Sequence, residues 1–285
     1  MARLDSVHPD NAPGEWFVDT RCIDCEACRQ LAPDVFVAHD GQSVVGSQPG
    51  DTDDLDVWRA SLACPTQSIG TRTRRPRQHG LFPMELDDGV YYCGFNSEDS
   101  FGANAFFVTR PEGNLLVDSP RFTRELAGPL ADLGGIAHVL LTHADDVADA
   151  DQWADRFGAR VWIHAADAHA APYATDVFDG EDAVDVQRGV VAFPVPGHTR
   201  GSAVFAVDER YLFTGDSLYW NEARHDLAAF RNATWYSWSA QAASLARLAD
   251  AHRFEWVLPG HGGRGRRPSD EMHDRLVALA RRMAS

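Results

Sequence analysis

Four cysteines, Cys22, Cys25, Cys28 and Cys64, fall within the first quarter of a 285-residue chain. The run Cys22-Ile-Asp-Cys25-Glu-Ala-Cys28 holds two successive C-x2-C spacings. These put three thiolates around one tight loop, and Cys64, followed by Pro65, supplies a fourth. Such a set matches the ligands of an iron–sulfur cluster. Zinc is the competing occupant, since four-cysteine zinc sites exist. Zinc ribbons bring two separated C-x2-C pairs, however, and the split here is three plus one. The fifth cysteine, Cys93, has no partner in sequence and reads as a buried apolar filler.

A second group of residues able to do chemistry is spread over the rest of the chain. Four apolar runs end in a ligand-type residue: Val139-Leu-Leu-Thr-His143, Val195-Pro-Gly-His198, Leu212-Phe-Thr-Gly-Asp216 and Val257-Leu-Pro-Gly-His261. A lone histidine at a strand end is usually structural. Four coordinated cases reverse that judgement: strands that each deliver a ligand-type residue can converge on one end of a sheet sandwich. Asp145 and Asp146 follow His143, and one of them is expected to cap a helix over about 146–157. His164 is expected to be structural. Beyond Asp216 lies an aromatic-rich stretch, with Tyr219, Trp220, Phe230, Trp235, Tyr236 and Trp238 interleaved with Arg224 and Arg231. It can close a pocket over an anionic substrate or simply pack onto the sheets.

The elements that must position these residues follow from the apolar pattern. Short runs rich in β-formers recur from Val90–Cys93 to Trp256–Leu258, with helical stretches at about 121–132, 146–157, 238–252 and 269–283. The mixture predicts two sheets with helices outside. Residues 71–79 read as a polar linker broken by Pro76, with Arg72, Arg74, Arg75 and Arg77 paired to nearby acids. The net charge of −16, with no lysine among the basic residues, argues against nucleic-acid binding and excludes lysine chemistry. No apolar run reaches the ~20 residues of a membrane helix. The N-terminus lacks a charged start followed by an apolar stretch, so a cytoplasmic protein is expected.

The cysteine segment resembles the single-cluster bacterial ferredoxins over about residues 10–70, including Pro33, Val35–Phe36 and Cys64-Pro65-Thr66-Gln67-Ser68-Ile69. Ala32 stands where two-cluster ferredoxins carry a further cysteine. The resemblance therefore implies one [4Fe–4S] cluster on Cys22, Cys25, Cys28 and Cys64.

The remainder, roughly residues 85–265, resembles the metallo-β-lactamase fold, an αββα sandwich. The implied fold class is α+β: a small ferredoxin-like domain over 1–75, then the sandwich over 76–285. The family pattern T-H-x-H-x-D-H appears here as Thr142-His143-Ala144-Asp145-Asp146-Val147-Ala148. Its second histidine is replaced by Asp145, and its last two ligands by Val147 and Ala148. The resemblance then implies a single metal on His143, His198 and Asp216, with Asp145 as a fourth donor or base and His261 as acid or base. Two histidines and a carboxylate suit mononuclear non-haem iron, and persulfide dioxygenases of this fold hold iron with the counterparts of these three residues. Zinc is the alternative. The expected activity is that of a redox enzyme acting on a small molecule, with an external electron donor or acceptor. A one-metal ester or thioester hydrolase like glyoxalase II is the alternative. A non-catalytic electron carrier with a degraded site is the third reading. Oligomeric state is left open.

Overall fold

Trp16–Val18 pairs antiparallel with Ile69–Thr71, so the chain before the cysteine loop is zipped to the chain after Cys64. The computed structural model describes residues 2–51, 54–76 and 78–285. Between the two strands lie helix α1 (Ala27–Leu31), a hairpin of Phe36–His39 with Gln42–Val45, and helix α2 (Leu55–Ala63). Asp54 caps α2, its carboxylate accepting from the backbone N–H of Asp56 and Val57, an interaction worth about 1 kcal/mol. Trp16, fully buried, meets Trp58 of α2 edge-on at 4.9 Å. That contact holds the helix against the strand pair.

The linker is tied back to an acid, Glu15. Thr73 N–H donates to Glu15, and Arg75 pairs with the same carboxylate at 3.6 Å. Arg72 lies over the Phe17 ring. Arg77 falls outside the described residues.

By compactness the chain forms two units. One comprises residues up to Val108 with Pro120–Gly135, and the other Thr109–Ser119 with Ile136–Ser285. The first unit therefore runs well past residue 75. Besides the cysteine segment it contains the antiparallel strands Met84–Asp87, Val90–Tyr92 and Phe106–Val108 and helix α3 (Arg124–Asp132).

The second unit carries the remaining strands in two larger sheets and a hairpin of Tyr219–Asn221 with Asp226–Ala228. Leu115–Val117, His138–Leu140, Arg160–His164 and Asp176–Phe178 are parallel neighbours. The first three are almost continuously buried, as strands covered on both faces must be, whereas the edge strand Asp176–Phe178 exposes Val177. The other sheet runs Val184–Gln187, Val190–Pro194, Ala203–Val207, Tyr211–Gly215, Trp256–Pro259, Gly265–Arg266. Helices α5 (Trp238–Ala251) and α6 (Ser269–Ala284) pack on it through Leu245, Leu248, Met272 and Leu276. Every strand read from the apolar runs is present. Tyr211–Gly215 and Trp256–Pro259 are parallel, with Gly215 opposite Pro259, so Asp216 and His261 leave the sheet side by side. Helix α4 spans Ala150–Phe157 and starts later than expected. No helix among the described residues is long and apolar enough to cross a membrane.

Candidate metal centre and cluster site

The cysteine loop is bent by two non-glycine residues in left-handed backbone conformation, Asp24 (φ 59°) and Glu26 (φ 67°). Such conformations cost free energy and persist where the surroundings impose them. The bend brings Cys22, Cys25 and Cys28 to a small cavity that Cys64 also lines, closed by Val18, Ile23, Pro65 and Ile69. Backbone N–H groups aim at two of the sulfurs: Ser43 at Cys22 and Ser68 at Cys64, each at 3.3 Å. Burial pushes the Cys28 thiol up to about 12 and also raises Cys25 and Cys64. Thiolates there need a bound cation to persist. A cationic iron–sulfur core supplies one, and the N–H groups suit its ligating sulfurs. Of the flanking acids, Asp19 is buried and paired with Arg21 at 2.7 Å, and Asp24 with Arg29 at 2.6 Å. Cys93 is fully buried, as a core filler should be.

In the second unit the strand-end residues converge. The donor atoms of His143, His198 and Asp216 lie within 4.8 Å of one another, and so do those of Asp146, Asp216 and His261. Asp216 is common to both sets. The expectation of a single donor set is thereby corrected. Val147 and Ala148 carry no donor atom, but the Asp146 carboxylate stands in the second set, 3.9 Å from His143 Nε2. The physical reason is the 3-10 turn Ala144–Asp146, which lets two consecutive aspartates serve different sets. Neither caps a helix.

Both primary histidines are held with Nε2 facing inward. The Thr142 hydroxyl donates to Asp118 at 2.9 Å and so has only lone pairs to offer the His143 Nδ1–H, also at 2.9 Å. His198 Nδ1 donates to the Ala233 carbonyl, and its Nε2 faces Asp145 at 3.2 Å and Asp216 at 3.8 Å. His261 Nδ1 contacts Asp216 at 2.9 Å. Gly260 carries no side chain because a Cβ there would stand 2.6 Å from Asp146 Oδ2 and 3.0 Å from Asp216 Oδ1.

The electrostatics call for a cation. Among the described residues, His143 Nε2 and both carboxylate oxygens of Asp146 are buried without a hydrogen-bond partner, a costly state. Burial lowers His143 to about 4, keeping it neutral and able to ligate. Burial and the Asp216 charge raise Asp146 well above the usual carboxylate range. Burial opposes ionisation of Asp216, but His261, His143 and His198 outweigh it and hold its carboxyl low. A divalent ion on these donors would satisfy the orphaned atoms and neutralise the crowded acids.

Two buried braces were not singled out in the sequence. Asp118, raised to about 7 by burial, accepts from Thr142; its place at the end of Leu115–Val117 repeats the strand-end pattern. Asp167 accepts from Ala144 N–H, Thr199 Oγ1 and Gly201 N–H, joining the His143 turn to the His198 loop. His164 is structural, accepting from Ala166 N–H. The aromatic stretch divides. Trp220 is buried under Arg267, Tyr219 stacks on Phe230, and Arg231 lies over Trp238. Trp235 and Tyr236 are exposed at the metal centre: both backbone N–H groups donate to the His198 carbonyl, and Trp235 Nε1 donates to Asp145 at 3.1 Å.

Comparison with known proteins agrees with this geometry. Residues 18–71 match the 4Fe-4S single cluster domain of Ferredoxin I, and residues 84–280 match the metallo-beta-lactamase superfamily. A hydroxyacylglutathione hydrolase of Fuscovulum blasticum is 36% identical over 107 residues, covering 36% of this chain and 42% of that protein. Another, from Anaeromyxobacter dehalogenans (strain 2CP-C), is 41% identical over 81 residues, covering 27% and 30%. The chain thus spans less than half the length of either relative. A metallo-β-lactamase structure from Erythrobacter litoralis superposes with a TM-score of 0.53 at 19% identity, covering 70% of this chain and 95% of that one. A 4Fe-4S ferredoxin-type domain precedes a sandwich with a metal-binding end, and the chain belongs to the metallo-β-lactamase superfamily.

Proposed function

We propose that the chain is a metal-dependent oxidoreductase acting on a small molecule, with iron in the sandwich and a [4Fe–4S] cluster on the four cysteines. The observation behind this reading is the pairing of a thiolate cluster site with a metal centre of imidazoles and carboxylates in one chain. His143, His198 and Asp216, with Asp145 beside them, would hold one ion; Asp146, Asp216 and His261 would hold a second. Imidazole and carboxylate donors suit iron. Iron there would exchange single electrons with the cluster, which zinc cannot do.

The protein's own residues do the rest. Asp118 and Thr142 fix the His143 tautomer, and Ala233 fixes that of His198. The His198 contact, the nearby His143 and the Trp235 Nε1 donor hold Asp145 below the usual carboxylate range. At half exposure it can orient a substrate or accept its proton. Trp235, anchored to Asp145, offers an aromatic face to the substrate.

A specific observation favours hydrolysis as the second reading. An ionised Asp145 at the mouth of a divalent site is placed to take a proton from water, and the matching relatives are hydroxyacylglutathione hydrolases. Metal analysis of anaerobically purified protein separates the two. The redox reading expects iron beyond that of the cluster, retained when Cys22 and Cys25 are changed to Ser. Zinc alone in the sandwich supports the hydrolase.

A further inference from the structure

The cysteine segment lines its own cluster cavity, but Cys25 and Pro65 are also covered from outside that segment. Gly102 lies outside residues 18–71, within the stretch that matches the lactamase superfamily. It belongs, with the cysteines, to one compact unit. A Cβ on Gly102 would stand 2.7 Å from Cys25 Cβ, 2.9 Å from Cys25 Sγ and 3.0 Å from Pro65 Cγ. The backbone of the lactamase segment therefore touches a cluster ligand and the proline behind another. Gly102 is left-handed, with φ 86°, and so is Phe101, with φ 51°.

The turn that makes this approach is built from within. Gly102 N–H donates to the Ser97 carbonyl at 2.8 Å, and Ala103 N–H to Ser100 at 3.0 Å. The buried Asn96 amide donates to the Gly102 carbonyl at 2.6 Å and accepts from the buried Tyr92 hydroxyl at 2.7 Å. A second strap reaches the same proline. Arg121 donates through Nη1 to the Pro65 carbonyl at 3.3 Å, while its own N–H donates to Phe95 at 2.8 Å. Tyr92, Asn96, Gly102 and Arg121 thus form a frame ending on Cys25 and Pro65.

We propose that the turn over residues 96–103 is part of the cluster's binding site: it closes over Cys25, shields that side of the cluster, and loses its order when the cluster is lost. Gly102 is a positioning residue, present because no side chain fits between the turn and Cys25. The proposal rests on the cysteines holding a cluster, and iron and sulfide content tests that separately.

The experiment uses the full chain, prepared anaerobically with its cluster. Hydrogen exchange is followed for the 95–104 segment before and after the cluster is stripped with a chelator. Exchange there is expected to rise at least about tenfold, with little change in Ala203–Val207, a strand of the other unit. In parallel, Gly102→Ala should hold less than half the wild-type iron and sulfide, and Arg121→Gln should bleach in air several-fold faster than wild type. Unchanged exchange in 95–104 on stripping overturns the proposal. So does a Gly102→Ala protein with wild-type iron, sulfide and bleaching rate. Should that variant fail to fold, the exchange comparison on the wild-type chain decides alone.

Discussion

The Thr142 hydroxyl stands 2.9 Å from His143 Nδ1, and it is already committed as a donor to Asp118. A hydroxyl has one proton. Its contact with the ring therefore leaves the ring proton on Nδ1 and the lone pair on Nε2, which faces Asp146 and Asp216. Replacing Thr142 with Val keeps the shape and removes this constraint. Partners that orient a metal-bound histidine typically govern 10–100-fold in affinity. The T142V variant should lose divalent metal affinity by about that factor, read by competition with a chelating dye, with its cluster absorbance unchanged.

Asp146 tests the second donor set. Asp146→Ala should lower the metal content of the sandwich by one ion per chain and leave the His143–His198–Asp216 set loaded. Element analysis corrected for cluster iron reads this directly. An unchanged count would return the centre to a single ion.

Asp167 joins two loops through three hydrogen bonds while buried. Removing it strands the buried Gly201 N–H and the half-buried Ala144 and Thr199 donors, at roughly 1–3 kcal/mol for a fully buried donor and less for the others. Asp167→Ala should destabilise the protein by on the order of 3 kcal/mol in chemical denaturation. Asp167→Asn should cost less, since its amide oxygen still accepts.

Asp118 sets a pH dependence. Its folded value is raised by burial to about 7, against an ordinary value of 3.8. Between these values the unfolded chain binds fewer protons than the folded one, so stability falls as pH rises. The slope is at most about 1.4 kcal/mol per pH unit. The contribution is fully present below about pH 4 and is lost through pH 7. With divalent metal removed, wild type should therefore be more stable relative to Asp118→Asn at pH 5 than at pH 8.

These residues differ in how far the sequence exposes them. The cysteine ligands are legible because three lie within one short loop. His143, His198, Asp216 and His261 are legible because each ends an apolar run, and sheet register then gathers them. Asp146 is not legible, because alignment to a spaced motif places Val147 and Ala148 at ligand positions. A 3-10 turn, invisible in the pattern, rotates the preceding aspartate into their place. Asp167 gives no signal at all: it sits in the alanine-rich 3-10 turn Ala165–Ala170 and acts only through residues distant in sequence. Gly102 is likewise ordinary as a turn glycine until the fold sets it against Cys25.

The central proposal is that the sandwich binds iron and that this iron exchanges electrons with the cluster. The most direct measurement is freeze-quench Mössbauer spectroscopy of anaerobic, iron-57-enriched protein after reduction of the cluster with dithionite-free photoreductant. The account predicts a second iron population, distinct from the cluster and abolished in His198→Ala, that becomes reduced as the cluster is reoxidised. Cluster iron alone, with zinc filling the sandwich, would contradict it.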